Sequence, residues 1–443
     1  MDSLIRSFTA ALTIALIIPL SCQAEKTYSL REEPGDTAFQ VDSKVTISGT
    51  VLTPVAQGAA KEWELASAAK YSFKERRLVS GGREALSLRA VRRYMNCASA
   101  TQVGEHKTSA KLPTASLIVA EGQTAGVRFY SPGKQLTRET LDLLSSPGDT
   151  LAAVAMLPST EVEIGEKWNP DQWVLQMLTD TEAAVKAKLT CELESVTRNQ
   201  ARVSFTGNVE GASVGSACVI KIAGHMIFDI KAGFVNRFEL KREEDRSAGT
   251  VSPGLKVTAN IKWDRKRSDA MLPDDKQIPA TPPPASLELV YRAPWGVELR
   301  HDREWHVFNE TDRAAVLRLV RGGTLVAQCN IARIAQVKPG SHTADKQFKH
   351  DIRQTLGDRL QDLSKGEVLS RRPYLYTTTA TGESDGTEMQ WVYYLASAAN
   401  GQQVSLVYSV ADSDAEKIAE THNSMTRSIQ FPATRISRKK KAK

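Results

Sequence analysis

Across the first 268 residues, apolar side chains keep returning at every second position. Phe39, Val41, Val45, Ile47 and Val51 share one parity, with Asp42, Lys44 and Thr46 on the other. Trp63, Leu65, Ala69, Tyr71 and Phe73 repeat this, as do Leu189-Cys191-Leu193, Val203-Phe205, Cys218-Ile220-Ile222, Phe234-Phe238-Leu240 and Val257-Ile261-Trp263. Such alternation predicts antiparallel strands with one buried and one solvated face. Arg198-Asn199-Gln200, Glu210-Gly211-Ala212, Ala232-Gly233 and Ser252-Pro253-Gly254 supply the turns. Helix is expected only at Thr137–Leu144 and, after Asn169-Pro170, at Asp171–Lys186, where Val174, Leu178 and Val185 share a face. A large antiparallel sheet, curled into a half-barrel or folded as a sandwich, accommodates these elements.

The last third mixes two periods. Val297-Leu299, Trp305-Val307, Val316–Val320 and Leu325–Ile334 read as strands. Phe348, Ile352, Leu356 and Leu360 then recur every fourth residue, an amphipathic helix with Thr343 as its expected cap. Strands follow at Tyr374–Thr379, Met389–Leu395 and Val404–Val410, the last two joined by Asn400-Gly401. Ser413 with Glu416 three residues on forms a capping box, opening a helix lined by Ile418, Ala419, His422, Met425 and Ile429. Taken with Trp305-His306-Val307 and the closing Ser428-Ile429-Gln430-Phe431, this order resembles the PsbP-like α/β/α sandwich over residues Leu287 to Phe431. The resemblance implies a fold suited to binding and assembly and carries no site residues with it. The expected class is therefore α+β: a β-rich N-terminal domain and a smaller PsbP-like domain.

Between them, Ser268 to Ser286 holds Pro273, Pro279, Pro282, Pro283 and Pro284, a composition that predicts an extended spacer with few contacts. At the start, Arg6, the apolar run Phe8–Leu20 and Cys22-Gln23-Ala24 have the three-part layout of a secretory signal. The expected plan is thus a signal at 1–24, a β-rich domain at 25–267, a linker at 268–286, a second domain at 287–432 and a tail at 433–443. Lipid attachment at Cys22 is the weaker alternative, because Pro19 stands where such signals carry an aliphatic residue.

Charge alters this picture at one place. The chain carries +7, and Arg435, Arg438, Lys439, Lys440, Lys441 and Lys443 supply six of those charges. Removing six from +7 leaves the folded body near +1, which argues against a nucleic-acid-binding face. The tail reads as a solubilising end, or as a contact for an anionic surface such as lipid headgroups or acidic polymer.

Chemistry is sparse. Cys97, Cys191, Cys218 and Cys329 remain once the expected signal is removed, and Cys191, Cys218 and Cys329 fall on apolar strand faces. If the strands near 188–196, 201–209 and 216–224 form a meander, Cys191 and Cys218 stand about 9.6 Å apart, beyond the ~7 Å limit for a bridge. Pairing among the four stays open. His301 and His306, five apart on an extended strand, point to opposite faces, and His422 reads as a packed core residue. With no Cys-x-x-Cys and no helical histidine pair, neither metal nor cofactor is expected. Gly211-Ala212-Ser213-Val214-Gly215 has the spacing of a nucleophile elbow, yet it lies between two strands. Glu243-Glu244-Asp245 and Glu383 with Asp385 are the paired carboxylates a glycosidase-like hydrolase would need. Three readings follow: an exported non-catalytic protein with a binding or envelope-organising role, a carrier of an apolar ligand or lipid on the concave sheet face, or a hydrolase. Partners consistent with these are an envelope protein, a lipid or an acidic polymer.

Overall fold

The computed structural model describes residues 26–53, 60–79, 84–213, 215–321 and 324–432. The expected signal segment, Cys22 and the basic tail from Arg435 to Lys443 lie outside the described residues.

Twelve antiparallel strands make one sheet: β1 (Ala38–Thr53), β2 (Lys61–Leu78), β3 (Arg89–Val103), β4 (His106–Lys111), β5 (Ser116–Gln123), β6 (Gly126–Tyr130), β7 (Lys167–Trp168), β8 (Ala183–Thr197), β9 (Gln200–Ser213), β10 (Ser216–Asp229), β11 (Phe234–Arg246) and β12 (Gly254–Ser268). Their order is β6-β5-β3-β2-β1-β12-β11-β10-β9-β8-β7, with β4 beside β3. The first and last long strands meet at its centre, in register from Ala38↔Ser268 to Leu52↔Gly254. These strands form a single open sheet rather than two facing ones. One face buries the alternating residues named above, among them Val41, Phe73, Cys191, Phe205, Ile220, Phe238 and Trp263.

Helices occupy that face: α1 (Arg138–Leu144), α2 (Thr150–Ala155) and α3 (Gln172–Thr179). Their Leu141, Leu144, Leu151, Val174, Leu175 and Leu178 join the sheet residues in one cluster. α3 touches both β6 and β8, so it fills the space between the two edges of the curled sheet. It ends at Thr179 rather than Lys186, because Asp180 turns into the left-handed region at φ +56°. Val185 consequently lies on β8 and is exposed, not on the helical face expected for it.

The segment expected to be an extended spacer is not free of contacts. Leu272 and Ile278 are buried against Ala38, Leu78, Val91, Val119 and Tyr130 on the convex face. Asp275 accepts the Val79 amide at 2.8 Å, and Arg89 donates to the Pro279 carbonyl at 2.6 Å. The prolines prevent strand pairing, but two apolar side chains among them are enough to seat the segment.

After α4 (Pro284–Leu287) come the hairpin β13 (Leu289–Ala293) and β14 (Val297–His301), then β15 (Trp305–Glu310), β16 (Ala314–Arg321), β17 (Thr324–Ile334), α5 (Asp345–Leu356), β18 (Leu360–Leu363), β19 (Glu367–Arg371), β20 (Tyr374–Ser384), β21 (Thr387–Ser397), β22 (Gln403–Ala411) and α6 (Ala415–Arg427). The second sheet runs β15-β16-β17-β22-β21-β20-β18, with β19 against β20. α5 packs Phe348, Ile352 and Leu356 on Tyr376, Trp391 and Tyr393. α6 packs Ile418 and Met425 on the cluster holding Val392, Tyr394 and Tyr408. Because Tyr393 and Tyr394 are neighbours on β21, these helices lie on opposite faces. Neither expected cap forms: α5 starts after Ala344 and α6 after Asp414, neither with a capping side chain. β13, β18 and β19 are too short to carry a readable alternation.

The two units meet at α1. The Val290 amide donates to the Leu136 carbonyl at 2.8 Å, Arg138 donates to the carbonyls of Arg303 and Trp305, and Arg303 donates to that of Phe129 at 2.7 Å.

Candidate functional site

The concave face of the first sheet and its helical cover form the most elaborated region of the molecule. Thr137 caps α1, its hydroxyl accepting the Thr140 amide at 3.2 Å, and Asp149 caps α2 through the Leu151 amide at 2.9 Å. Between them Gly148, at φ +74°, lies flat on the sheet. A Cβ there would sit 3.0 Å from the Phe238 ring and 3.2 Å from Leu240, and the Trp263 indole donates to the Gly148 carbonyl at 2.9 Å. Beneath it, Phe205, Phe238 and Trp263 stack at 5.3 and 5.2 Å across β9, β11 and β12. Gly224 on β10 leaves the room that Phe205 takes, since a Cβ there would come within 2.6 Å of the ring.

A buried ionic network fastens cover to sheet. Arg92 on β3 donates to Glu75 on β2 at 2.8 Å, to both Asp149 oxygens at 2.7 Å, and to Thr150 at 2.8 Å. Thr150 donates in turn to Glu75 at 2.6 Å. Arg265 on β12 pairs with Glu32 of the N-terminal segment and lies 3.5 Å from Glu75; Arg77 lies 3.7 Å from Glu32. Arg92 sits over Phe73 and Phe129, and Arg265 over Phe39 and Phe234. Three arginines face three carboxylates, so the cluster is neutral overall. Charge pairs this deep gain little net stability over apolar packing, but each leaves a stranded charge if its partner moves. They therefore fix where α2 and the N-terminal segment lie.

The cover is incomplete at two ends of β2. Beneath α1, a groove of about 830 Å³ is walled by Val45, Ile47, Ala69, Tyr71, Ala110 and Leu143, with hydroxyls of Ser67, Ser99, Thr101 and Thr108 among them. Glu139, Asp142 and Lys111 stand along it. Burial pushes the Tyr71 phenol up, so it is a neutral donor there. At the other end a cavity of about 670 Å³ adjoins Arg77. Between them a small void lined by Tyr71, Phe73, Tyr94 and the loop at Ser146–Asp149 runs from the groove to Arg92 of the ion network.

Of the residues singled out for chemistry, Glu243, Glu244, Asp245, Gly211 and Cys218 line one shallow pocket of about 910 Å³, and the others lie apart from it. Ser213 ends β9 and donates to the Asp180 carbonyl at 3.3 Å, while Val214 lies outside the described residues. Glu243 faces outward beside Lys241 at 2.6 Å, whereas Glu244 faces inward and pairs with Arg242 at 2.6 Å. These acids lie on β11. Glu383 lies near the end of β20, and Asp385 is in the β20–β21 turn at φ +52°. His301 and His306 are not on opposite faces of one strand. The turn at 302–304 puts them on β14 and β15, each close enough to Arg138 for its charge to act. Burial lowers both, and His422, to about 4. His422 accepts from or donates to the Tyr394 hydroxyl at 2.8 Å. Cys97, Cys191, Cys218 and Cys329 are free and buried, with Cys97 and Cys191 pushed up to about 12. Among the described residues no three His, Cys, Asp or Glu side chains are grouped to hold a metal, and no helix is long and apolar enough to cross a membrane. The buried arginines were missed in sequence; their one signal is a charged residue at an inward parity, as at Glu75, Arg77 and Arg92.

No protein-family model matches the chain, nor does any curated protein. Among solved structures, one titled lipid-protein interactions in lipovitellin is similar over 58% of this chain and 27% of its own, at 10% identity and a TM-score of 0.27. The chain thus spans about a quarter of that protein. DynF from the dynemicin biosynthesis pathway of Micromonospora chersina matches over 60% of this chain and 95% of its own, at 6% identity and TM-score 0.17. OccK7 of Pseudomonas aeruginosa matches over 85% and 98%, at 7% identity and TM-score 0.13. These scores carry no argument about function.

Proposed function

We propose that the chain is an exported, non-catalytic binding protein that carries an amphipathic ligand in the groove beneath α1. The observation that carries this reading is the interrupted cover. The helices fill most of the concave face with leucines, but between α1 and β1 to β4 they leave an apolar floor beside a row of hydroxyls. A groove of that volume falls within the range that accepts small ligands, and a floor of Val45, Ile47 and Ala69 suits an apolar chain. The hydroxyls suit a polar head. For the C-terminal unit we infer a PsbP-like sandwich, supported by α5 and α6 on opposite faces of one sheet.

The test is to express the chain with its leader, isolate it from the envelope fraction and extract it for mass spectrometry. A bound amphiphile is expected, and Ala110→Trp, which fills the groove, should reduce its recovery roughly tenfold. A wild-type protein that carries none, and that binds no acyl probe differently from Ala110→Trp, overturns the reading.

A further inference from the structure

The cavity at the far end of β2 has a different chemistry from the groove. Its walls mix Leu30, Leu88, Val154, Leu157 and Trp173 with the charged Arg31, Glu32, Glu33 and Glu161 of the segments that cover it, and Arg77 reaches it from the sheet. That side chain is only 6% exposed. Glu32 at 3.7 Å neutralises it but is too distant to accept a hydrogen bond, and both Nε and Nη1 are buried without an acceptor. Arg92, on the neighbouring strand and the same face, instead places its Nε, Nη1 and Nη2 on acceptors. A buried guanidinium with idle donors beside an open cavity calls for a group that brings oxygen acceptors.

We propose that this cavity is a second ligand site, which takes the carboxylate of an acyl-chain molecule on the Arg77 guanidinium. The planar fork of arginine suits two carboxylate oxygens, and the leucines, Val154 and Trp173 line the path of the chain. Glu32 does not prevent this, because Arg265 remains as its partner. The other acids nearby are also engaged: Glu33 pairs with Arg31, and Glu161 accepts from Thr27 at 2.6 Å. Burial pulls Arg77 below its usual range, and a bound carboxylate reverses that pull. The N-terminal segment closes one side of the cavity, with paired backbone bonds between Tyr28 and Val162 at 2.8 and 3.1 Å. Six residues of strand, about 20 Å, separate Arg77 from Tyr71, the nearest groove residue on β2.

The experiment is calorimetric titration of the full mature chain with dodecanoate and, separately, with methyl dodecanoate. Saturable binding of the acid is expected, with the ester roughly tenfold weaker and Arg77→Met roughly tenfold weaker for the acid. Ala155→Phe, which narrows the cavity from α2 and leaves the guanidinium in place, should weaken binding similarly and covers the case in which Arg77→Met does not fold. Ala110→Trp, which fills only the groove, should keep the Arg77-dependent part of the dodecanoate binding. The proposal is overturned by no saturable binding, by unchanged affinity in a folded Arg77→Met or Ala155→Phe, by equal affinity for acid and ester, or by loss of binding in Ala110→Trp.

Discussion

The two sheets solve the problem of a buried face by opposite means. The first has helices on its concave side and fastens them with charges: Arg92 and Arg265 are essentially inaccessible, each held by carboxylates and aromatic rings. The second is covered by one helix on each face and relies on aromatic packing. Trp305 and Tyr394 each meet Tyr408 edge-on at 5.9 Å, and Phe348 meets Tyr376 and Tyr393 the same way. Its ion pairs, such as Arg292 with Glu298 and Arg321 with Glu304, lie in solvent. Apolar packing is tolerant of small displacements, whereas a bidentate ion pair is not. The contrast teaches that the cover of the first sheet is held to one position, with the open groove beside it, and that stability alone does not require such a device.

The largest effect should come from breaking that device. Arg92→Met strands Glu75 and Asp149 in the interior and should cost about 3–5 kcal/mol by urea denaturation. A loss below ~1 kcal/mol would erase the contrast between the units. Acidification should act on the second unit instead. His301, His306 and His422 are held near 4 in the folded chain against an ordinary 6.5. As pH falls from 6.5 the unfolded chain takes up protons first, so stability declines down to about pH 4 and is fully present above 6.5. His301 is almost wholly buried and contributes at most roughly 3 kcal/mol across that window. In His301→Gln the pH dependence of the denaturation midpoint should flatten; an identical slope would remove the histidine from the account. The smallest effect concerns the convex face. Ile278→Asp should release the proline-rich segment at a cost of about 2 kcal/mol, and limited proteolysis should then cut between Leu272 and Ile278. Equal cleavage of wild type and variant there would mean the segment is not held by that side chain.

Much of the strand layout was legible because parity is a local property. The run from Phe39 to Val51 and the stretch from Leu189 to Ile222 declare which side chains face inward without knowledge of their partners. The helical cover was only half legible. α1 carries its own cap in Thr137, but α2 is six residues long, too short for a helical period to show. The end of α3 depended on a left-handed Asp180, a residue type that gives no such signal by itself. The site was not legible. An arginine at an inward position looks like a break in the pattern until the carboxylates that meet it are known, and Glu32, Glu75 and Asp149 come from three separate parts of the chain. Likewise, prolines dominate the composition of Ser268 to Ser286, and composition does not reveal that Leu272 and Ile278 have a hydrophobic patch to sit on.

The pairing of Ala38 with Ser268 has a mechanical consequence. The chain comes into the first sheet and leaves it at the same end of two adjacent strands, so tension applied across the unit would open their ladder one bond at a time, as a zip, rather than sliding all the bonds at once. Such a junction is the weakest way to load a sheet. Leu272 and Ile278 on the outgoing side and Glu32 on the incoming side are seated before the force can reach that ladder. The unit is thus equipped with a strain relief on each lead, and a pull on the C-terminal half must first peel the proline-rich segment from the convex surface.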